Sequence, residues 1–208
     1  MENQNEFLSK ELKKTVPWER RKEVGFLKAF WQTWKEIILH PKHFFSKMPT
    51  EGGLSNPLFF GVITGYLPVI LSIILGFLLA QLNIIGELGT LNLGIISVIL
   101  LIFSPLAIVL GLFLTSAIFH FFFWIAGTKK GFETTFRIIC YSNAVYIFQL
   151  LPLGQLIAGI WAIVLLCIGA KRVHTFTKSR EKLAVIILLI IIGLGIAITI
   201  ALPIITGR

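Results

Sequence analysis

Few side chains in this 208-residue sequence can do chemistry, because only 14% are charged and Asp is absent. Those that can gather around the stretch from Gly127 to Lys182. His120 and Arg137 fall inside apolar runs on either side of its first loop. Ionisable groups in such runs are costly in a membrane and mark functional sites by default. If the two runs are helices joined by the short 127–133 loop, they are antiparallel neighbours. Tyr141 then reaches a depth similar to His120, about 10 Å from the loop. Arg137 and Tyr141 share one helix face at i and i+4. Asn143 lies deeper, and Glu133 sits at the helix start, where the dipole favours a carboxylate. His120, Glu133, Arg137, Tyr141 and Asn143 thus make a candidate cytoplasmic-side polar cluster. It could bind a headgroup or an ion, or pass a proton. The preferred reading is less specific: interhelical hydrogen bonds hold the bundle together, and Arg137 snorkels to the surface.

Other constellations are weaker. His40 and His43 are three residues apart, but Pro41 breaks the helix that would bring them to one metal. No carboxylate or Cys accompanies them in the H-P-K-H run, so no metal is expected. Cys140 and Cys167 both lie inside apolar runs, where a thiol behaves as a small apolar group. No G-x-S-x-G, H-E-x-x-H, P-loop or dinucleotide fingerprint occurs. The apolar runs also lack a carboxylate to orient a nucleophile and its base. The sequence therefore reads as a non-enzyme with no cofactor.

The elements that must position these residues are membrane helices. The chain is 56% hydrophobic, with a mean hydropathy of +0.86. Soluble domains are usually about 45–50% apolar and about 25% charged. The expected fold is all-α: a polytopic integral membrane bundle of five transmembrane helices with an N-terminal amphipathic interfacial helix. Spans are expected at about 57–80, 95–126, 134–151, 152–170 and 183–204, forming a domain over 57–205. The second is about 48 Å long as a helix, which demands tilt, a kink at Pro105, or an N-terminal part outside the hydrocarbon. Gly61 and Gly65 in G-V-I-T-G have the small-xxx-small spacing that lets helices approach closely.

Residues 1–23 are polar, without sustained periodicity or the apolar core of a signal peptide, and are expected to be a flexible cytoplasmic tail. The first span would then direct insertion itself. Within 24–48, Leu27, Phe30, Trp31, Trp34, Ile37 and Ile38 recur at helical spacing, with lysines on the other side. That pattern suits a helix lying in the membrane interface or packed on the bundle. Phe30, Trp31, Trp34, Phe44 and Phe45 are its candidate interfacial anchors.

Ten of the 19 Lys and Arg lie in the N-terminal segment, two in the 127–133 loop and five in the 171–182 loop. The 81–94 loop and the 149–154 turn have none. With five spans, all basic segments fall on one side, which sets the N-terminus in the cytoplasm and the C-terminus outside. The net charge of +9 is thus distributed for contact with the bilayer and its anionic headgroups rather than with nucleic acid. A protein partner or a homo-oligomer is also expected.

Three groups of residues resemble one known family. The first is Trp31-Gln-Thr-Trp-Lys-Glu-Ile-Ile-Leu-His-Pro41 with Phe44-Phe45 and Asn56-Pro57-Leu58. The second is Gly131-Phe-Glu-Thr-Thr-Phe-Arg137 leading to Tyr141-Ser-Asn-Ala144, and the third Pro152-Leu-Gly154 with Ile160-Trp161 and His174. In order and spacing they resemble a small prokaryotic-type member of the Yip domain family, the Ypt/Rab-interacting membrane proteins. The resemblance implies a five-helix membrane domain with a cytoplasmic N-terminus and no catalytic residues. For eukaryotic members it implies Rab-type GTPase binding, vesicle trafficking and membrane shaping. For this chain it implies a bacterial or archaeal plasma membrane and a role in organising membrane or partner proteins. The alternative is a small ion or lipid transporter working through the polar cluster.

Overall fold

A computed structural model of the chain describes residues 16–82, 87–151, 153–174 and Ile186, with backbone only for 87–93. Pro17–Arg20 form a 3-10 turn. After it come α1 (Arg21–Val24), α2 (Phe26–Leu39), α3 (Pro41–Lys47), α4 (Ser55–Gln81) and α5 (Glu87–Ile125). α6 (Phe132–Ser142), a 3-10 segment (Asn143–Leu150) and α7 (Gly154–Val173) complete the described elements, none of which is a strand.

Three of the described helices are long and apolar enough to cross a membrane: α4, the Gly94–Ile125 part of α5, and α7. They coincide with the expected first, second and fourth spans. Large apolar side chains such as Leu78, Ile102, Leu114 and Ile160 stand exposed along them, as lipid-facing residues do. The expected fifth span, 183–204, lies outside the described residues apart from Ile186. So do residues 1–15, Pro152, and the basic residues Lys178, Arg180 and Lys182.

The third expected span, 134–151, takes a different form. It is an 11-residue α6 continued by an 8-residue 3-10 segment. Every residue from Thr134 to Val145 is buried in the protein. This stretch carries Thr134, Thr135, Arg137, Ser142 and Asn143, so its polar groups need protein partners, and α4, α5 and α7 all pack around it. The 81–94 loop is also shorter than expected. α5 already begins at Glu87 and continues through Pro105 as 39 residues, about 58 Å.

Within the expected tail, Pro17–Arg20 form a turn packed on the bundle. Trp18 is fully buried, with its ring centroid 5.3 Å from that of Phe26 and 5.6 Å from those of Phe59 and Phe60. Its indole N–H donates to the Asn56 carbonyl at 2.8 Å, and its backbone N–H donates to Thr33 Oγ1 at 2.9 Å. One aromatic anchor thereby fixes a stretch whose polar composition suggests a free tail. Pro41, which ends α2 at His40, also opens α3, where its missing N–H and fixed φ suit a first turn.

Two glycine sites set close approaches. A Cβ on Gly61 would lie 3.2 Å from the Cys140 carbonyl, and one on Gly65 would lie 2.9 Å from Asn143 Nδ2. The G-V-I-T-G spacing thus brings α4 against α6 and the 3-10 segment. At Gly154, a Cβ would collide with the Phe148 carbonyl, so only glycine lets the chain turn there into α7.

Candidate functional site

The first turn of α6 points Glu133 and Arg137 along one helix face, toward the 52–53 loop and the N-terminal 3-10 turn. Arg137 has no exposed surface. Its Nη1 donates to Glu19 Oε1 at 2.7 Å, its Nε to Glu133 Oε1 at 3.2 Å, and its Nη2 to the Gly53 carbonyl at 2.9 Å. The Gly53 N–H donates back to Glu133 Oε1 at 2.7 Å. Gly52 and Gly53 sit at φ +121° and +89°, a region open to glycine and strained for other residues. The Tyr141 hydroxyl donates to the same Glu19 oxygen at 2.8 Å. One buried guanidinium therefore ties three parts of the chain together: the N-terminal segment, the loop before α4, and α6.

Arg137 does not snorkel to the surface. Its charge is met inside the protein by two carboxylates, which offsets the desolvation of a fully buried cation. Tyr141 is equally buried, between Phe44 and Phe60 with ring centroids at 5.1 and 5.3 Å.

His120 joins a separate chain of hydrogen bonds. Its Nδ1 shares a hydrogen bond with Thr135 Oγ1 at 2.9 Å, and Thr135 Oγ1 shares one with His174 Nε2 at 3.2 Å. His174 Nδ1 meets Thr128 Oγ1 at 2.7 Å, and Thr128 also accepts the Lys130 N–H at 3.1 Å. This chain joins the ends of α5, α6 and α7. Burial pushes the His174 imidazole down to about 4, and the nearby His120 and Lys130 push the same way. Asn143 forms a third contact, donating from Nδ2 to the Gly61 carbonyl at 2.7 Å. The five expected residues thus divide: Glu133, Arg137 and Tyr141 come together, while His120 and Asn143 serve other junctions.

The aromatic residues divide as well. Phe44 and Phe45 are buried in the core, and Trp34 donates its indole N–H to the Ala144 carbonyl at 3.0 Å. Phe30 packs against the core, while Trp31 remains 49% exposed and stacks on Trp34 at 4.9 Å. Leu27 is exposed on the same side. α2 is therefore packed on the bundle by one edge of its apolar face, and the other edge looks outward.

Sequence reasoning missed Glu19, Thr135, Thr128 and the loop glycines. Glu19 was hidden in a polar segment, where the Pro17-Trp18 pair beside it was the available signal. His43 Nδ1 shares a hydrogen bond with Glu36 at 2.7 Å. Among the described residues, no three His, Cys, Asp or Glu gather at metal-binding distance.

No curated protein and no solved structure matches the chain. The sequence model of the Yip1 domain matches residues 35–200, which includes α6, α7 and all three apolar helices. That match covers most of the 208 residues and agrees with an all-helical bundle rich in membrane-length helices. The chain belongs to the Yip1 domain family of non-enzymatic integral membrane proteins.

Proposed function

We propose that this chain organises the membrane or partner proteins through its cytoplasmic face, without catalysis. The observation that carries this reading is the self-contained Arg137 centre. Three guanidinium nitrogens, two carboxylates and the Tyr141 hydroxyl engage one another or Gly53, so this strongly charged interior site is used to hold the fold. What faces outward at the same end is apolar and basic. Leu27 and Trp31 are exposed on α2, with Lys35 Nζ lying 5.5 Å from the Trp31 ring. An amphipathic helix of this kind binds lipid interfaces and partner surfaces alike. A cleft of about 400 Å³ beside the start of α6 adds Lys129 and Lys130, with Thr50, Glu51, Glu133 and Thr134. These lysines would meet anionic headgroups of a bacterial or archaeal plasma membrane, with the N-terminus cytoplasmic.

A photo-crosslinking residue at Trp31, in the full chain in native membranes, tests the reading. It should capture lipid or a discrete protein partner, as a probe at lipid-facing Leu110 captures lipid. If the Trp31 probe captures neither while the Leu110 probe works, the outward edge of α2 is not a contact surface and the reading fails. A transporter working through His120 and Arg137 is the weaker reading, because Arg137, Glu133 and Tyr141 already engage one another and hold the fold. Proteoliposome flux abolished by His120→Ala with the melting temperature unchanged would reverse that order.

A further inference from the structure

The Ser142 hydroxyl is out of place in this bundle. Serines and threonines inside membrane helices normally satisfy themselves on their own helix backbone. Thr64 does so on the Phe60 carbonyl at 3.0 Å, Ser116 on Leu112 at 2.6 Å, and Ser72 on Val69 at 2.9 Å. Ser142 is 5% exposed, yet its Oγ has no hydrogen-bond partner. Ser104 Oγ and Trp161 Nε1 share that condition, and of the three Ser142 is the one that lines the cavity described next. It lines a cavity of about 330 Å³ bounded by α4, α5, α6, the 3-10 segment and α7.

The cavity has a consistent chemistry. Thr115, Ser142, Asn143, Tyr146 and Gln149 give it polar walls, and among the described residues no charged side chain lines it. It lies near the middle of the three apolar helices, bounded by Gly65 of α4, Gly111 of α5 and Ala162 of α7. Two of its lining residues, Gly111 and Tyr146, are exposed. A ligand suited to it is uncharged, arrives from the hydrocarbon, and brings a hydrogen-bonding atom for Ser142. A charged phospholipid headgroup is excluded by chemistry, since none of the described side chains lining the cavity carries a charge to meet its phosphate. An acyl chain alone would leave Ser142 unsatisfied, which is costly in a site away from water.

We propose that this cavity binds the oxygen-bearing end of an uncharged, bilayer-dissolved lipid, of the quinone or long-chain alcohol class. The Ser142 hydroxyl donates to the ligand carbonyl or hydroxyl oxygen. The aliphatic tail leaves past Gly111 and Tyr146 into the bilayer. Pockets of this size, mostly apolar with a few convergent polar groups, are typical of small-ligand sites.

The test is native mass spectrometry and Trp-fluorescence titration of the full chain in nanodiscs. The probes are decyl-benzoquinone, decanol, and decylbenzene, which lacks the oxygen. The two oxygenated probes should distinguish the quinone from the alcohol source. Saturable, stoichiometric binding of at least one is expected, with decylbenzene not retained. Ser142→Ala should weaken binding about fivefold, the worth of one hydrogen bond. The same variant should keep or raise the melting temperature, because it removes an unsatisfied group. Ala162→Leu, which fills the cavity, should abolish binding. Binding of decylbenzene equal to the oxygenated probes would overturn the proposal. So would binding unchanged by both variants, or no saturable uptake at all, as in a cavity holding only water.

Discussion

Arg137 carries a full charge with no exposed surface, so its partners decide whether it stabilises or destabilises the fold. Removing one member of a buried pair leaves the other uncompensated, which typically costs about 3–5 kcal/mol. Arg137→Ala should cost that much and lower the melting temperature in detergent, because it strands Glu19, Glu133 and the Gly53 carbonyl. Glu19→Gln should cost less, since an amide oxygen still accepts from Arg137 and Tyr141. A double-mutant cycle of Arg137→Ala with Glu19→Ala separates this pair from its surroundings. Fully additive effects would show that the two residues are not coupled. His174 makes a second prediction, through pH. Burial lowers its imidazole to about 4 in the folded state, against 6.5 when exposed. The unfolded chain therefore binds the extra proton as pH falls from 6.5 toward 4. The His174 contribution is fully present above pH 6.5 and lost across that window, up to about 3 kcal/mol. The melting temperature should fall over that range, and His174→Gln should flatten part of the fall. An unchanged slope in the variant would place the pH dependence elsewhere.

The elements depend on a few contacts that span large sequence distances. The 3-10 turn at Pro17–Arg20 is held by Trp18, so Trp18→Ala should free residues 16–24 from the bundle. A buried Trp truncated to Ala typically costs about 3–5 kcal/mol. The readout is limited proteolysis, where cleavage near Arg20–Lys22 should appear in the variant and be absent in the native chain. Equal protection in both would mean that Trp18 is not the anchor. Gly154→Ala should be severely destabilising for a different reason, the collision with the Phe148 carbonyl, and rescue by a smaller side chain is impossible. The same elements show how far the sequence could be read. α4, α5 and α7 were legible because an apolar run sustained over 20 or more residues fits a bilayer and little else. The Gly61/Gly65 contact was legible because small-residue spacing is a direct statement about approach distance. α6 was not, because a helix buried in protein and a helix buried in lipid have similar apolar content. Only the partners that Thr135, Arg137 and Asn143 find on other elements, distant in sequence, distinguish the two. Glu19 was illegible for the same reason: its role exists only once Trp18 has carried it to Arg137, 118 residues away.

At the scale of the whole molecule, the His174–Thr128 contact constrains how the chain threads the membrane. At 2.7 Å it places the end of α7 beside the end of α5. The chain between residues 132 and 173 must therefore leave that end of the bundle and return to it. α7 returns as 20 residues, about 30 Å, which is the thickness of the hydrocarbon core. The outward path is α6 plus the 3-10 segment, about 32 Å at 1.5 and 2.0 Å per residue. A path too irregular to face lipid can still cross when it is wrapped by other helices. On such a path Leu153 is expected at the opposite membrane face from Thr128. The basic residues Lys129, Lys130, Lys171 and Arg172 all gather at the Thr128 end, so the positive-inside rule predicts that this end faces the cytoplasm. Single cysteines at Lys129, Arg172 and Leu153 in a Cys167→Ser background in intact cells test this, with the native Cys140 buried. An impermeant maleimide added outside should label position 153 and leave 129 and 172 unlabelled until the membrane is permeabilised. Labelling of 129 from outside would invert the orientation. Failure to label 153 from outside, with 129 and 172 still protected, would mean that α6 and the 3-10 segment turn back within the bilayer.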